Sequence, residues 1–259
     1  MSRPLARALG LVLAACSALA LAQAQPAYEP KSGQEGKDVV WIPTSLALVE
    51  KMLDMARVGP RDFVMDLGSG DGRTVIAAAK RGARALGVEY NADLVELSRR
   101  RAAEEGLAAR ASFVQADLFR TDFSRASVIT MFLLPDINLK LRGKILALRP
   151  GTRIVSNTFD MGDWPADETV TLSGEGCDAS WCTALLWIVP ARVAGMHRLA
   201  LGEVVLRQRF QMLSGELRTG GASYSLRGRV RGEEVSFSAG GRKYRARTKG
   251  GALELLASR

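Results

Sequence analysis

The sequence predicts an α/β fold: a largely parallel sheet with helices on both faces, followed by a small C-terminal antiparallel β unit. Three features of the 259 residues predict it. Strand-like apolar runs alternate with helix-like spacings from Asp62 to about residue 157, as in a parallel sheet with crossover helices. Gly68, Gly70 and Gly72 join the first such run to the first such helix. Beyond Pro190 the pattern changes to alternating segments, some separated by glycine pairs, which suits antiparallel hairpins.

Residues 1–24 stand apart from this plan. Arg3 and Arg7 precede an apolar run of 14 residues, Ala8 to Leu21, and Ala22-Gln23-Ala24 is a small-x-small cleavage site. Together these describe a secretory signal peptide, too short to serve as a permanent membrane span. Leu13-Ala14-Ala15-Cys16 also has the form of a lipoprotein cleavage box, which would leave a lipid anchor at Cys16. The apolar run continues past Cys16, which favours cleavage after Ala24 and an exported, periplasmic protein. Residues 25–37, polar with Pro and Gly, read as a linker.

The sheet domain is expected over residues 38–190. Ser45 to Ala56 carries Leu46, Leu48, Val49, Met52, Leu53 and Met55 at helical spacing. Strands are expected near 62–66, 85–89, 111–115, 126–133 and 152–157, and helices near 74–82, 92–105 and 138–148. Glu168 to Leu172 and Thr183 to Val189 read as two closing strands, and the connection between them holds Cys177 and Cys182. A close, even pair of cysteines in an exported chain suggests a hairpin disulfide. No metal site is expected, because the sole histidine, His197, is not spaced to join those cysteines as a ligand.

The glycine run carries the chemistry. Glycine permits positive φ and lets backbone approach a ligand. The helix after it, from Arg73, points its free N–H groups the same way. Glu89, at the end of the second strand, lies 17 residues past Gly72, placed to accept hydrogen bonds from a ribose diol. A dinucleotide fingerprint wants Gly-x-Gly-x-x-Gly, and Arg73 stands where the third glycine should be. The spacing here is Asp-x-Gly-x-Gly-x-Gly. In that form the chain resembles the class I S-adenosylmethionine (SAM)-dependent methyltransferases, which have a Rossmann-like sheet. The resemblance implies SAM as cofactor. The loop Gly68, Ser69, Gly70, Asp71, Gly72 would pass its methionine part, with Asp66 nearby. Glu89 would hold the ribose, with Tyr90 beside the adenine. Asp117 and Leu118 would serve the adenine amino end.

A narrower likeness runs through residues 39–164. Trp41-Ile42-Pro43-Thr44-Ser45, Asp66-Leu67-Gly68-Ser69-Gly70-Asp71-Gly72-Arg73 and Phe132-Leu133-Leu134-Pro135 are similar to motifs of the ATP synthase c-subunit lysine N-methyltransferase family. That likeness implies a protein substrate presenting a lysine side chain. It places Trp41, Pro43 and Thr44 over the pocket from the N-terminal side, with Trp164 opposite. Phe132, Leu134 and Pro135 would wall the acceptor, and Asp136 or Asn138 would orient its amine. The chain lacks an Asn/Asp-Pro-Pro-aromatic segment after the fourth strand, which argues against a planar amide or base nitrogen as acceptor.

The tail, residues 191–259, holds 14 Lys and Arg against 5 Asp and Glu, a net of +9, whereas residues 25–190 carry −2. Alternating segments are expected at 203–213, 223–231, 233–238 and 242–248. Arg227, Arg229 and Arg231 fall at period two and so share one strand face. That face is either a solvated guard against strand addition or a footing for an anionic membrane surface or acidic partner. Few aromatics interleave the basic residues, so no nucleic acid partner is expected. An export signal and a cytosolic cofactor are in tension. A non-catalytic exported binding or scaffold protein on this fold is therefore one alternative to a lysine methyltransferase, and a small-molecule methyltransferase, which would differ only in its acceptor pocket, is another.

Overall fold

The computed structural model describes residues 28–258, except 175, 178 and 179. The leader at 1–24, its cleavage site and Cys16 lie outside the described residues. Helix α1 (Leu46–Met55) starts at Ser45, whose hydroxyl accepts from Leu48 N at 3.2 Å, and buries Leu48, Val49, Met52, Leu53 and Met55. Capping and apolar spacing thus agree in placing this helix on the sheet. Then follow β1 (Phe63–Leu67), α2 (Arg73–Lys80), β2 (Arg84–Glu89), α3 (Ala92–Glu104), β3 (Ala111–Gln115) and β4 (Val128–Met131). Helix α4 (Pro135–Leu146), β5 (Arg153–Asn157), β6 (Glu168–Thr171) and β7 (Thr183–Ile188) complete the first unit.

These strands form one sheet in the order β3-β2-β1-β4-β5-β7-β6. Strand β7 runs antiparallel to both its neighbours, and the other pairings are parallel. The order reverses between β1 and β4, the place where open sheets of this kind bind ligands beyond their carboxyl ends. Two apolar clusters cover the two faces. One holds α1, α2 and α3 side chains with Cys177 and Cys182, and the other holds α4 with Trp164 and Trp187. Helix α4 begins three residues earlier than the periodicity suggests. Pro135 takes its first position, where the missing N–H costs nothing and the fixed φ is already helical.

The tail is a second sheet of seven strands in sequence order: β8 (Gly195–Leu199), β9 (Gly202–Arg209), β10 (Met212–Thr219), β11 (Ala222–Arg231), β12 (Glu234–Ala239), β13 (Arg242–Lys249) and β14 (Ala252–Ser258). It curls until β14 approaches β8 and encloses its own core, with Val204, Leu206, Leu226, Val230 and Phe237 inside. The expected segment 203–213 is in fact a hairpin. Its turn, Phe210-Gln211, puts Phe210 at φ 52°, a conformation that no Gly or Asn announces in the sequence.

The two units are joined by more than the chain. Phe210 stacks on Trp164 with centroids 5.9 Å apart, and Gln211 Nε2 donates to Pro165 O at 2.6 Å. Arg209 reaches Asp163 at 2.8 Å, and Arg229 reaches Asp167 at 2.5 Å. The Asp167 side chain is only 2% exposed and also accepts from Ile188 N. Arg229 therefore does not belong to a free basic stripe; it is a tie between the units. Such a pair serves placement more than stability, because desolvation offsets most of its attraction. Trp164, fully buried between Trp187 and Phe210, belongs to this junction and not to the pocket the sequence assigned it.

Candidate active site

Strand β1 delivers Asp66 and then turns sharply. Gly70 and Gly72 have φ of 52° and 80°, and side chains there would also collide. A Cβ on Gly70 would lie 2.5 Å from Trp41 Nε1, and one on Gly72 2.8 Å from Phe113 and Ser98. The turn opens onto a crevice of about 460 Å³ that runs from Gln34–Thr44 past the glycine loop to Phe159 and Trp181. Ser69 lies in the turn, its buried hydroxyl packed against Gly87 and Phe113 with no hydrogen-bond partner among the described residues.

Glu89 ends β2 as expected and holds the loop from beneath. Its Oε2 accepts from Gly70 N at 2.9 Å, and Oε1 accepts from Tyr90 N at 2.8 Å and Asn91 N at 2.9 Å. Asp66 is buried beside it and accepts from Thr130 Oγ1 at 2.6 Å. Burial, aided by the nearby Glu89 and Asp71 charges, pushes its carboxyl from 3.8 up to about 7, against the pull of the Thr130 and Thr74 hydroxyls.

Asp71 has another occupation. Burial pushes its carboxyl up, but Arg73 and Arg101 outweigh that and hold it below the usual carboxylate range. Arg73 Nη2 lies 2.7 Å and Arg101 Nη1 2.6 Å from its Oδ2. Arg73 also donates to Thr44 O at 2.9 Å, which ties the Pro43-Thr44 segment to the loop. The Asp71 carboxylate is thus a brace for the crevice, not a free acceptor for cofactor. Arg73 and Arg101 were not legible as parts of the site.

At the adenine end, Asp117 and Tyr90 are brought together as expected, and Lys37 sits between them. Lys37 Nζ is 2.8 Å from Asp117 Oδ2 and 4.6 Å above the Tyr90 ring. This contact holds Asp117 below the ordinary carboxylate range and raises Lys37. Lys37 lies in the stretch read as a linker, and that reading needs correction. Gly33 N donates to Trp41 O at 2.8 Å, Trp41 N donates to Gln34 O at 2.9 Å, and the fold-back lines the crevice. Pro43, Thr44 and Leu118 line it as expected.

At the acceptor end the expected residues part company. Phe132 and Leu134 line the crevice, with Leu133 between them. Pro135 and Asp136 form the exposed first turn of α4 instead. Asn138 is fully buried, and its Nδ2 donates to Phe159 O and Asp160 O, both at 3.1 Å. It therefore holds a loop and is not placed to orient an amine. The loop brings Phe159 to the crevice, and Trp181 comes from the other side. Neither was expected. A large aromatic inside a cysteine hairpin, as in Ser180-Trp181-Cys182, was the available signal.

A ligand cradle at the strand-order reversal, with carboxylates at the ends of β1 and β2 and beyond β3, defines a SAM-dependent methyltransferase. The side-chain-free turn at Gly70 and the Glu89 carboxylate at the end of β2 fit that cofactor. Comparisons agree. A family model described as the ANTKMT methyltransferase domain matches residues 66–168. A protein-lysine N-methyltransferase of Saccharolobus islandicus is 40% identical over 135 residues, 51% of this chain and 84% of that protein. The human ATP synthase c-subunit lysine N-methyltransferase is 37% identical over 54% of this chain and 59% of its own length. Among solved structures, an RNA methyltransferase from Salinibacter ruber in complex with S-adenosyl-L-homocysteine has a TM-score of 0.55 and 44% identity, covering 59% of this chain and 96% of that one. The chain belongs to the ANTKMT family of methyltransferases.

Proposed function

We propose that the protein methylates a lysine side chain of a protein substrate. The observation that carries this is the acceptor end of the crevice, walled by Phe132, Leu133, Leu134, Phe159 and Trp181. SAM supplies an electrophilic methyl on a sulfonium. The protein's task is to hold an amine in line with it and to shed water. An amine must be neutral to attack, so its proton passes to solvent, and desolvation against the apolar Leu133 and Leu134 favours the neutral form. Names of the curated relatives, which specify protein lysine, support the same acceptor. Incubating residues 25–259 with methyl-labelled SAM and a cell-envelope extract should put label into a protein band as methyl-lysine. Label in the RNA fraction alone would replace lysine with a nucleic-acid acceptor, as the name of the Salinibacter protein suggests.

The exported location of the sequence reading stands as part of this proposal, supported by the buried cysteine pair in bonding contact. So does an anionic lipid surface as the partner of the tail. Strand register sets Arg227, Ser238 and Lys243 in one row across β11, β12 and β13, and Ser236 and Arg245 in the next, where Arg229 is taken up by Asp167. Arg227 on one side and Lys243 with Arg245 on the other thus flank two serine hydroxyls, an arrangement suited to phosphate headgroups. The chain should sediment with phosphatidylglycerol vesicles at low salt, and Arg227→Glu with Lys243→Glu should cut the bound fraction at least threefold. Absence of binding by the unaltered protein would sink this partner.

A further inference from the structure

The connection between β6 and β7 is closed by a disulfide between Cys177 and Cys182, whose Cα atoms lie 5.7 Å apart. Both cysteines are buried in the core beneath α1. Leu172 N donates to Cys182 O at 2.9 Å, and Ser45, the cap of α1, donates its hydroxyl to Cys177 Sγ at 3.5 Å. Next to the second cysteine, Trp181 reaches into the crevice. Its ring centroid lies 5.3 Å from that of Phe159 and 6.0 Å from that of Phe132, and the two phenylalanines stack 6.0 Å apart at 21°.

The three aromatics have different anchors. Phe132 follows β4 directly. Phe159 is fixed from below, where its carbonyl accepts from Asn138 Nδ2 at 3.1 Å and Ser156 Oγ at 2.7 Å. Trp181 is the neighbour of Cys182, and the disulfide ties that cysteine to Cys177 in the core beneath α1. We propose that this hairpin is a specificity element. The disulfide holds Trp181 against Phe132 and Phe159, and the three rings form a recess for the head group of an alkylamine. Ring faces attract an ammonium, indole most strongly, so the recess takes up the protonated side chain before it loses its proton. Gly70 and Glu89, the residues expected to meet the cofactor, lie on other elements than the hairpin, so loosening it should change SAM binding little. The inference rests on the methyltransferase reading only for where the reactive carbon lies.

The test uses butyltrimethylammonium as a probe of lysine-head binding, read from tryptophan indole resonances with Trp181→Phe supplying the assignment. In the unaltered protein the Trp181 resonance should shift saturably. In the Cys177→Ser, Cys182→Ser double variant the same probe should bind at least fivefold more weakly, while the SAM dissociation constant from calorimetry changes less than twofold. Trp181→Ala, which keeps the disulfide, should show the same loss when read from the Phe132 and Phe159 ring signals. It decides the matter if the double variant fails to fold. An unmoved Trp181 resonance in the unaltered protein, or equal probe affinity in the variants, overturns the proposal. Failure of the unaltered protein to bind SAM would strike the methyltransferase reading instead, and the amine titration would still judge the recess.

Discussion

Glu89→Ala should weaken SAM binding about 100-fold, equivalent to about 2.7 kcal/mol. Two losses combine. The carboxylate that faces the ribose position disappears, and charged hydrogen bonds of that kind are each worth about 1.5–3 kcal/mol. The N–H groups of Gly70, Tyr90 and Asn91 also lose their acceptor, so the loop itself is released. Glu89→Gln, which keeps one carbonyl oxygen, should fall between the two. Calorimetric titration with SAM decides it. An affinity within about threefold of the unaltered protein would mean that Glu89 only braces the loop and that the ribose is held elsewhere.

The second large effect concerns Asp66 and pH. Its carboxyl sits at about 7 in the folded protein against an ordinary 3.8, with burial the leading cause. A raised carboxyl pKa means that the folded state keeps a proton the unfolded chain gives up. Its contribution to stability is complete below the unfolded value and is lost as pH rises through the folded one. Between pH 4 and 7 this residue alone should remove up to about 4 kcal/mol. Asp62 and Asp71 are shifted downward, so they act below pH 4 and leave this window clear. Urea unfolding at pH 5 and pH 8 should therefore show a loss in the unaltered protein that Asp66→Asn largely abolishes. Equal slopes in the two proteins would show that Asp66 is already ionised at pH 5.

Much of this site was legible because local chemistry wrote it. Gly68 to Gly72, Glu89 and Asp117 each announce a backbone or charge requirement that no tertiary contact is needed to reveal. Strand β1 to α3 came within two residues of its expected bounds for the same reason: apolar period and turn residues agree there. What escaped was non-local. Lys37 meets Asp117 across 80 residues, and Arg101 meets Asp71 across 30. A polar stretch with glycines looks like a linker until its partners are known. Asp136 and Asn138 were placed by their nearness to Pro135 in sequence, but the first turn of α4 rotates one outward and the other into a loop contact. In the tail the segment expected at 203–213 hides a turn at Phe210 that has none of the usual residues, and β8 and β14 were not expected at all.

The loop between β5 and β6 touches both halves of the molecule. Phe159 at one end stands in the crevice, and Asp163, Trp164 and Asp167 toward the other receive Arg209, Phe210 and Arg229 of the tail. Arg142 of α4 closes the circuit by meeting Asp163 at 2.5 Å. The change of composition near residue 190 therefore marks a change of architecture that the β5–β6 loop bridges. A lineage that exchanged this tail for another would have to rewrite the loop as well, and the acceptor wall with it. The tail and the acceptor wall thus share one segment of chain, so a change at Asp163 or Asp167 reaches the crevice through Phe159.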